Sequence, residues 1–244
     1  LSILVASAAV AWSTPAGAQA AGPVELPPIV VSATGIPTPE QNVASSVSVV
    51  TAAEIERDQR RTIVDVLNTL PGLNVVQSGS IGSQTSVFIR GTNSNHVKVL
   101  IDGIDVSDPS TANRIFDFGH LQTSDIERVE VLRGPQSGLY GADAIGGVIS
   151  ITTKKGEGSP KVRATAEGGS FQTFNQAASL SGSSDRFNYS FNYSHIHSGD
   201  VPTTPDRFVA PGRPAIGNNY DISTASARLG YDFTHELSAC LVTR

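Results

Sequence analysis

His195 and His197 stand two residues apart in RFNYSFNYSHIH, Arg186 to His197. That spacing puts both imidazoles on one face of a β-strand. Such a pair could hold a metal ion. It equally suits the rim where a strand leaves a membrane, where polar-tipped aromatic side chains collect. Along the same stretch Phe187, Tyr189, Phe191 and Tyr193 alternate with Asn188, Ser190, Asn192 and Ser194, so one face is aromatic and the other small and polar. Asn188-Tyr-Ser190 and Asn192-Tyr-Ser194 fit the N-x-S acceptor pattern, which carries no weight in an exported strand of bacterial type. Catalytic motifs are missing. H-E-x-x-H does not occur, GLYGADAIGG lacks the G-x-G-x-x-G spacing and precedes a strand, and RGPQSGLYG holds no G-x-S-x-G. The expectation is a protein that binds rather than an enzyme.

Three stretches have binding chemistry. Ile29, Val30, Val31, Ser32 and Ala33 form a β-prone run bracketed by Pro23, Pro27, Pro28, Pro37 and Pro39. Proline blocks helix and withholds an amide donor, so this run does not easily join a sheet of its own fold. Held free and extended, it suits strand addition to the sheet edge of a partner; a flexible linker is the competing reading. The other two stretches are polar loops. One is Gln77, Ser78, Gly79, Ser80, Ile81, Gly82, Ser83 and Gln84. The other runs from Val106 to Asn113 and carries Ser107, Asp108, Ser110, Thr111 and Asn113.

An α/β region from about Val43 to Lys155 must position those loops. Thr51 with Glu54 is a capping box. Thr62 caps a second helix whose apolar face is Val66, Leu67 and Leu70, and Pro71-Gly72 stops it. Strand-like runs follow at Thr85–Gly91, His96–Gly103, Ile126–Gly134 and Gly147–Lys155. Thr92–Asn95 (TNSN) predicts a hairpin turn between the first two. With that turn pointing one way, the two polar loops share the opposite end. From Lys161 the texture changes to long alternation. A short Ser183-Ser184-Asp185 turn and a long loop with four prolines lie at opposite ends of one strand. That is the pattern of an outer-membrane barrel. A soluble β-sandwich alternates too, but Arg163, Glu167 and Arg228 on the polar face suit a wet lumen, and the apolar face is light.

The chain has 244 residues and a net charge of −5 with no basic stripe, which argues against nucleic acid as a partner. Cys240 is the one cysteine, so no internal disulfide framework or multi-cysteine metal site is open to it. LSILVASAAVAWSTPAGAQA, residues 1–20, reads as the hydrophobic region and A-x-A site of a secretory signal peptide lacking its basic start, with cleavage after Ala20. No other run approaches a spanning helix.

In this order the pieces resemble the TonB-dependent outer-membrane receptors, from about Pro27 to the end. PPIVVSATG looks like a TonB box. SVFIRGTNSNHVKVLIDGIDV and the longer, more specific IERVEVLRGPQSGLYGADAIGGVISITTKK look like the plug domain. The alternating tail looks like the first barrel strands. The fold implied is an α+β plug followed by strands of a transmembrane antiparallel β-barrel. Its layout is signal peptide 1–20, TonB box and linker 21–42, plug 43–155 and partial barrel 156–244. Family barrels have 22 strands; residues 156–244 leave room for about five, so a fragment of a longer product is expected.

The resemblance implies active transport of a scarce metal chelate, cobalamin or a ferric siderophore. Ligand would bind at a plug apex made by the two polar loops. TonB and its inner-membrane energising complex would engage Ile29–Ala33, although Pro27-Pro28 stands where family boxes often carry an acidic residue and Thr. Other partners implied are the lipid bilayer and lipopolysaccharide of a Gram-negative-type outer membrane. FIRGTNSNHVKVLIDG is closest to the cobalamin branch, where calcium bridges a plug carboxylate and loop aspartates. By that likeness Asp117, with Asp200, Asp206 and Asp221, are candidate calcium ligands. Arg90 and Arg133 are expected to pair with carboxylates of the barrel wall, an internal plug salt bridge being the alternative. Two other classes stay open, a soluble periplasmic plug-like module and a secreted β-sandwich adhesin.

Overall fold

The structure, a computed structural model, describes residues 29–30, 36, 38–39, 42–43, 45–111, 113–200, 205–212, 217–234 and 237–244. The expected export signal lies outside them. Among the described residues no helix is long and apolar enough to cross a membrane.

A pair of two-residue strands comes first, β1 (Ile29–Val30) antiparallel to β2 (Thr38–Pro39). The α/β region follows. It contains β3 (Ser46–Thr51), α1 (Ala52–Arg57), α2 (Ile63–Leu67), β4 (Leu73–Gln77), β5 (Thr85–Ile89), β6 (Val97–Ile101), β7 (Ile104–Asp105), β8 (Ile126–Arg133), α3 (Ser137–Tyr140) and β9 (Gly147–Thr153). Both early helices start as their residues dictate. The hydroxyl of Thr51 accepts from Glu54 N while the Glu54 carboxylate accepts from Thr51 N, and Thr62 and Asp65 repeat the box.

The expected hairpin between the 85–91 and 96–103 runs does not form. β5 pairs antiparallel with β4 in a separate two-stranded ribbon. β6 enters a five-stranded sheet of order β3-β8-β9-β6-β7 and runs parallel to β9. The burial of β6 gives the reason. Val97, Lys98, Val99 and Leu100 are all buried, and a strand covered on both faces belongs inside a sheet rather than in an exposed hairpin. Residues 94–96 make a turn of 3₁₀ helix, and Gly146 N donates to His96 O at 2.9 Å, steering the chain into the sheet.

One face of that sheet carries the main core. Ile55, Ile63, Val66 and Leu67 of the helices pack with Val87 and Ile89 of the ribbon and with Val129, Val131, Ile149 and Ile151. Each such side chain contributes about 1.5–3 kcal/mol by leaving water. A smaller cluster, Leu100, Leu132, Ala144 and Val148, covers the other face.

The last five strands are β10 (Lys161–Gly168), β11 (Phe174–Ser184), β12 (Phe187–Ser198), β13 (Tyr220–Asp232) and β14 (Ser238–Thr243). They form an open antiparallel meander in sequence order. β11, β12 and β13 have 11, 12 and 13 residues, enough for a tilted strand to cross a hydrocarbon layer.

Candidate functional site

Burial along β12 is inverted relative to a soluble sheet. Asn188, Ser190, Asn192 and Ser194 are buried, whereas Phe187, Phe191 and Tyr193 are 41–46% exposed. The register puts Leu180 of β11 and Ala227 of β13 beside Phe191, and Ala178 and Ala225 beside Tyr193. The exposed face is therefore apolar across three strands. A β-sandwich buries the face that this meander exposes.

The polar face lies against the α/β region, and charge makes the join. Arg228 Nη1 of β13 donates to Asp102 Oδ1 at 2.9 Å and to Thr153 O and Oγ1 at 3.1 and 3.0 Å. The Asp102 side chain, 9% exposed, also accepts from Thr153 N and Oγ1. Arg244 pairs with buried Asp125 at 3.3 Å. Arg163 and Lys154 converge on Glu56. Burial alone would raise the Glu56 carboxyl, but the hydrogen bonds from Arg163 and Lys154 outweigh it and hold the group below its usual range. Arg61 reaches across to Glu167 in a bidentate pair. Ser194 bonds to Gln122 and Ser124. Between these contacts is a cavity of 370 Å³, lined by Arg60, Gln122 and Asn192 and by the apolar Ile55 and Ile196 among others.

Arg90 and Arg133 stand side by side at the end of β5 and β8 rather than on the meander. Arg133 is buried and donates to Ser46 and Ser48. Burial, with the Arg90 charge next, pulls its guanidinium below its ordinary value. Among the described residues ion pairs cross the join in both senses, Arg163, Arg228 and Arg244 meeting carboxylates of the α/β region and Arg61 of the α/β region meeting Glu167 of β10.

The first polar loop closes on itself, with Ser78 N donating to Gln84 O and Ser83 N to Ser80 O at 3.0 Å each. Its base is tied down by Asp117, whose Oδ1 accepts from Thr85 N and Gly119 N, both at 2.9 Å. A Cβ on Gly119 would run into the Ser83 carbonyl oxygen. The loop abuts Tyr220 and Asn218, at the end of β13 where the long 199–219 connection rejoins the meander. The second loop is organised by its own side chains. Asp108 accepts from Ser110 N at 2.8 Å; the Ser110 hydroxyl, and its amide next, hold the carboxyl below its usual range, and Thr111 bonds to Asp108 O. Asp105 anchors its start. Burial would raise that carboxyl, yet Lys98 at 2.5 Å and Ser107 bring it down to about 2. Asn113 is exposed.

Asp117, Asp200 and Asp221 do not converge. Asp117 is spent on backbone amides. Asp221 accepts from His197 Nδ1 at 2.9 Å and His195 Nε2 at 3.1 Å on the exposed face. Asp200 lies against Gly217, and the Asp206 side chain is outside the described residues. Among those residues no group of three or more His, Cys, Asp or Glu side chains could hold a metal ion. At the front of the chain, Ile29 and Val30 are not free, since they pair with Pro39 and Thr38 and Val30 is fully buried. Val31, Ser32 and Ala33 are outside the described residues. Proline at position 39 withholds only an amide; its carbonyl still accepts, which allows a two-residue pair.

An α/β unit seated against an inverted meander limits the comparison to proteins with both. Residues 39–148 match the family model of the TonB-dependent receptor plug domain. The plug domain and meander together superpose on solved receptors. The pyoverdine outer-membrane receptor FpvA of Pseudomonas aeruginosa matches with TM-score 0.69 at 20% identity, over 89% of this chain and 29% of that one. The siderophore receptor PirA of Acinetobacter baumannii matches with TM-score 0.60 at 28% identity, over 83% and 32%. The ferric yersiniabactin uptake receptor FyuA of Yersinia pestis matches with TM-score 0.57 at 25% identity, over 77% and 29%. The chain thus spans about a third or less of the length of these neighbours. Receptors of the outer membrane of Pseudomonas aeruginosa are among them.

Sequence reasoning missed Asp102, Asp125, Gln122 and Tyr220, all contact residues between plug domain and meander. The alternation of β13 does put Arg228 on the polar face, but nothing in the sequence says which plug carboxylate it meets.

Proposed function

We propose that the protein is a receptor that takes up a ferric chelate across the outer membrane, energised by TonB. The observation that carries this reading is the pairing of a plug domain with strands whose polar face is buried against it and whose aromatic face is exposed. A ferric siderophore is the preferred cargo, because the solved neighbours are siderophore receptors. The FIRGTNSNHVKVLIDG run keeps cobalamin as the second reading. The apex is the loop at 77–84 with the loop at 106–113. Ile29–Ala33 is the TonB-binding segment, and its pairing with Thr38–Pro39 has to open before a partner strand can add. Arg90 and Arg133, two adjacent cations with one buried, are suited to carboxylates of wall strands beyond the described five.

Growth of a deletion strain decides the cargo. Loss of growth on ferric siderophores as sole iron, with cobalamin-dependent growth intact, is expected; the opposite pattern removes the siderophore reading. In the full-length product, Val30→Pro should leave chelate binding to whole cells unchanged and abolish accumulation, because proline removes a main-chain donor from the added strand. Uptake at the wild-type rate in that variant would remove the TonB-segment assignment.

A further inference from the structure

Tyr220 opens β13 and is 8% exposed. Its ring lies on the plug loop 78–84 so closely that a Cβ added at Gly82 would fall inside it. Gly82 has φ +81°, so a side chain is disfavoured there twice, by backbone and by the ring. The His120 ring is near-parallel to it, at a centroid distance of 6.1 Å with the planes 10° apart. The loop beneath is short and internally bonded, and Asp117 locks its base to Thr85 and Gly119. Movement at Gly82 therefore reaches β5 without slack. Ser80 Oγ is buried without a hydrogen-bond partner, so the closed arrangement is not the loop's best polar state.

We propose that Tyr220 is a positioning residue, a clasp by which the outer end of the wall strand holds the plug loop 78–84 closed. This rests on the reading of that loop as the receptor apex. Ring and glycine are complementary in size. Opening the apex requires Tyr220 to leave Gly82, so a wall-strand residue sets the resting position of a plug loop that binds cargo.

The test uses full-length protein in outer membranes, with other cysteines replaced (Cys240→Ser included) and Ser80→Cys as reporter. The readout is the rate of labelling by a membrane-impermeant maleimide. Tyr220→Ala is expected to raise that rate about tenfold, as local opening replaces close packing. Tyr220→Phe, which keeps the ring, should label like the parent. Gly82→Ala should also raise labelling, and in the Tyr220→Ala background it should add much less. Equal rates for Tyr220→Ala and parent would overturn the clasp, as would full additivity of the two substitutions. Labelling confined to permeabilised cells would remove the outward-facing apex, while the ratio between variants would still report on the clasp.

Discussion

Arg228 completes the hydrogen bonding of a plug strand end, donating to Asp102 and to both oxygens of Thr153. Its removal would leave the Asp102 carboxylate buried without its counter-ion. Arg228→Ala should therefore destabilise the assembled protein by about 3–5 kcal/mol. Adding Asp102→Asn should recover part of that, and denaturant titration of both variants checks it. Asp105 allows a second prediction with a defined sign. Its carboxyl falls to about 2 from an ordinary 3.8, so the folded state favours the ionised form. The stabilisation from Lys98 and Ser107 is then fully present above pH 4 and is lost as pH falls toward 2. Because the side chain is 34% exposed, the effect is screened and modest. The difference in Tm between Asp105→Asn and wild type should be present at pH 7 and close by pH 2. A difference that persisted at pH 2 would contradict the assignment.

Strand β12 carries the reading at the level of elements. Its two faces were legible from alternation alone, because a period of two leaves no ambiguity about which residues share a face. That the polar side is the inward one was also legible, since Arg163, Glu167 and Arg228 fall on it and suit a wet lumen, but the sequence did not show that this side packs on the α/β region. A charge on the other side should be costly. Phe191→Arg is expected to cost about 2–4 kcal/mol near the bilayer centre, read as the loss of folded protein in a liposome folding titration. The strand pairing of β5 was not legible. TNSN suits a hairpin turn and a 3₁₀ turn equally, and only the two-faced burial of β6 separates them. The Ile29–Ala33 run shows the same limit. Its prolines argue against sheet membership, but they do not forbid a two-residue pair whose proline contributes a carbonyl.

At the scale of the whole molecule, the plug domain and the meander meet largely through ion pairs and amide or hydroxyl contacts around a 370 Å³ cavity, which the plug's main hydrophobic core reaches through Ile55 alone. Such an interface can be rearranged without dismantling that core. The contacts that build it pair residues 70 to 126 positions apart, and spacing in one sequence carries no information on such pairs. The candidate apex was therefore legible as two loops, while the clasp on one of them was not. The central claim is that β12 turns Phe191 to lipid and Asn192 to the plug domain. Spin labels at Phe191→Cys and Asn192→Cys in the full-length protein, reconstituted in liposomes, measure this directly. Position 191 should be accessible to oxygen and shielded from a water-soluble nickel chelate, whereas position 192 should be immobilised and poorly accessible to oxygen. The reverse pattern, or two labels equally open to the nickel chelate, would contradict the account.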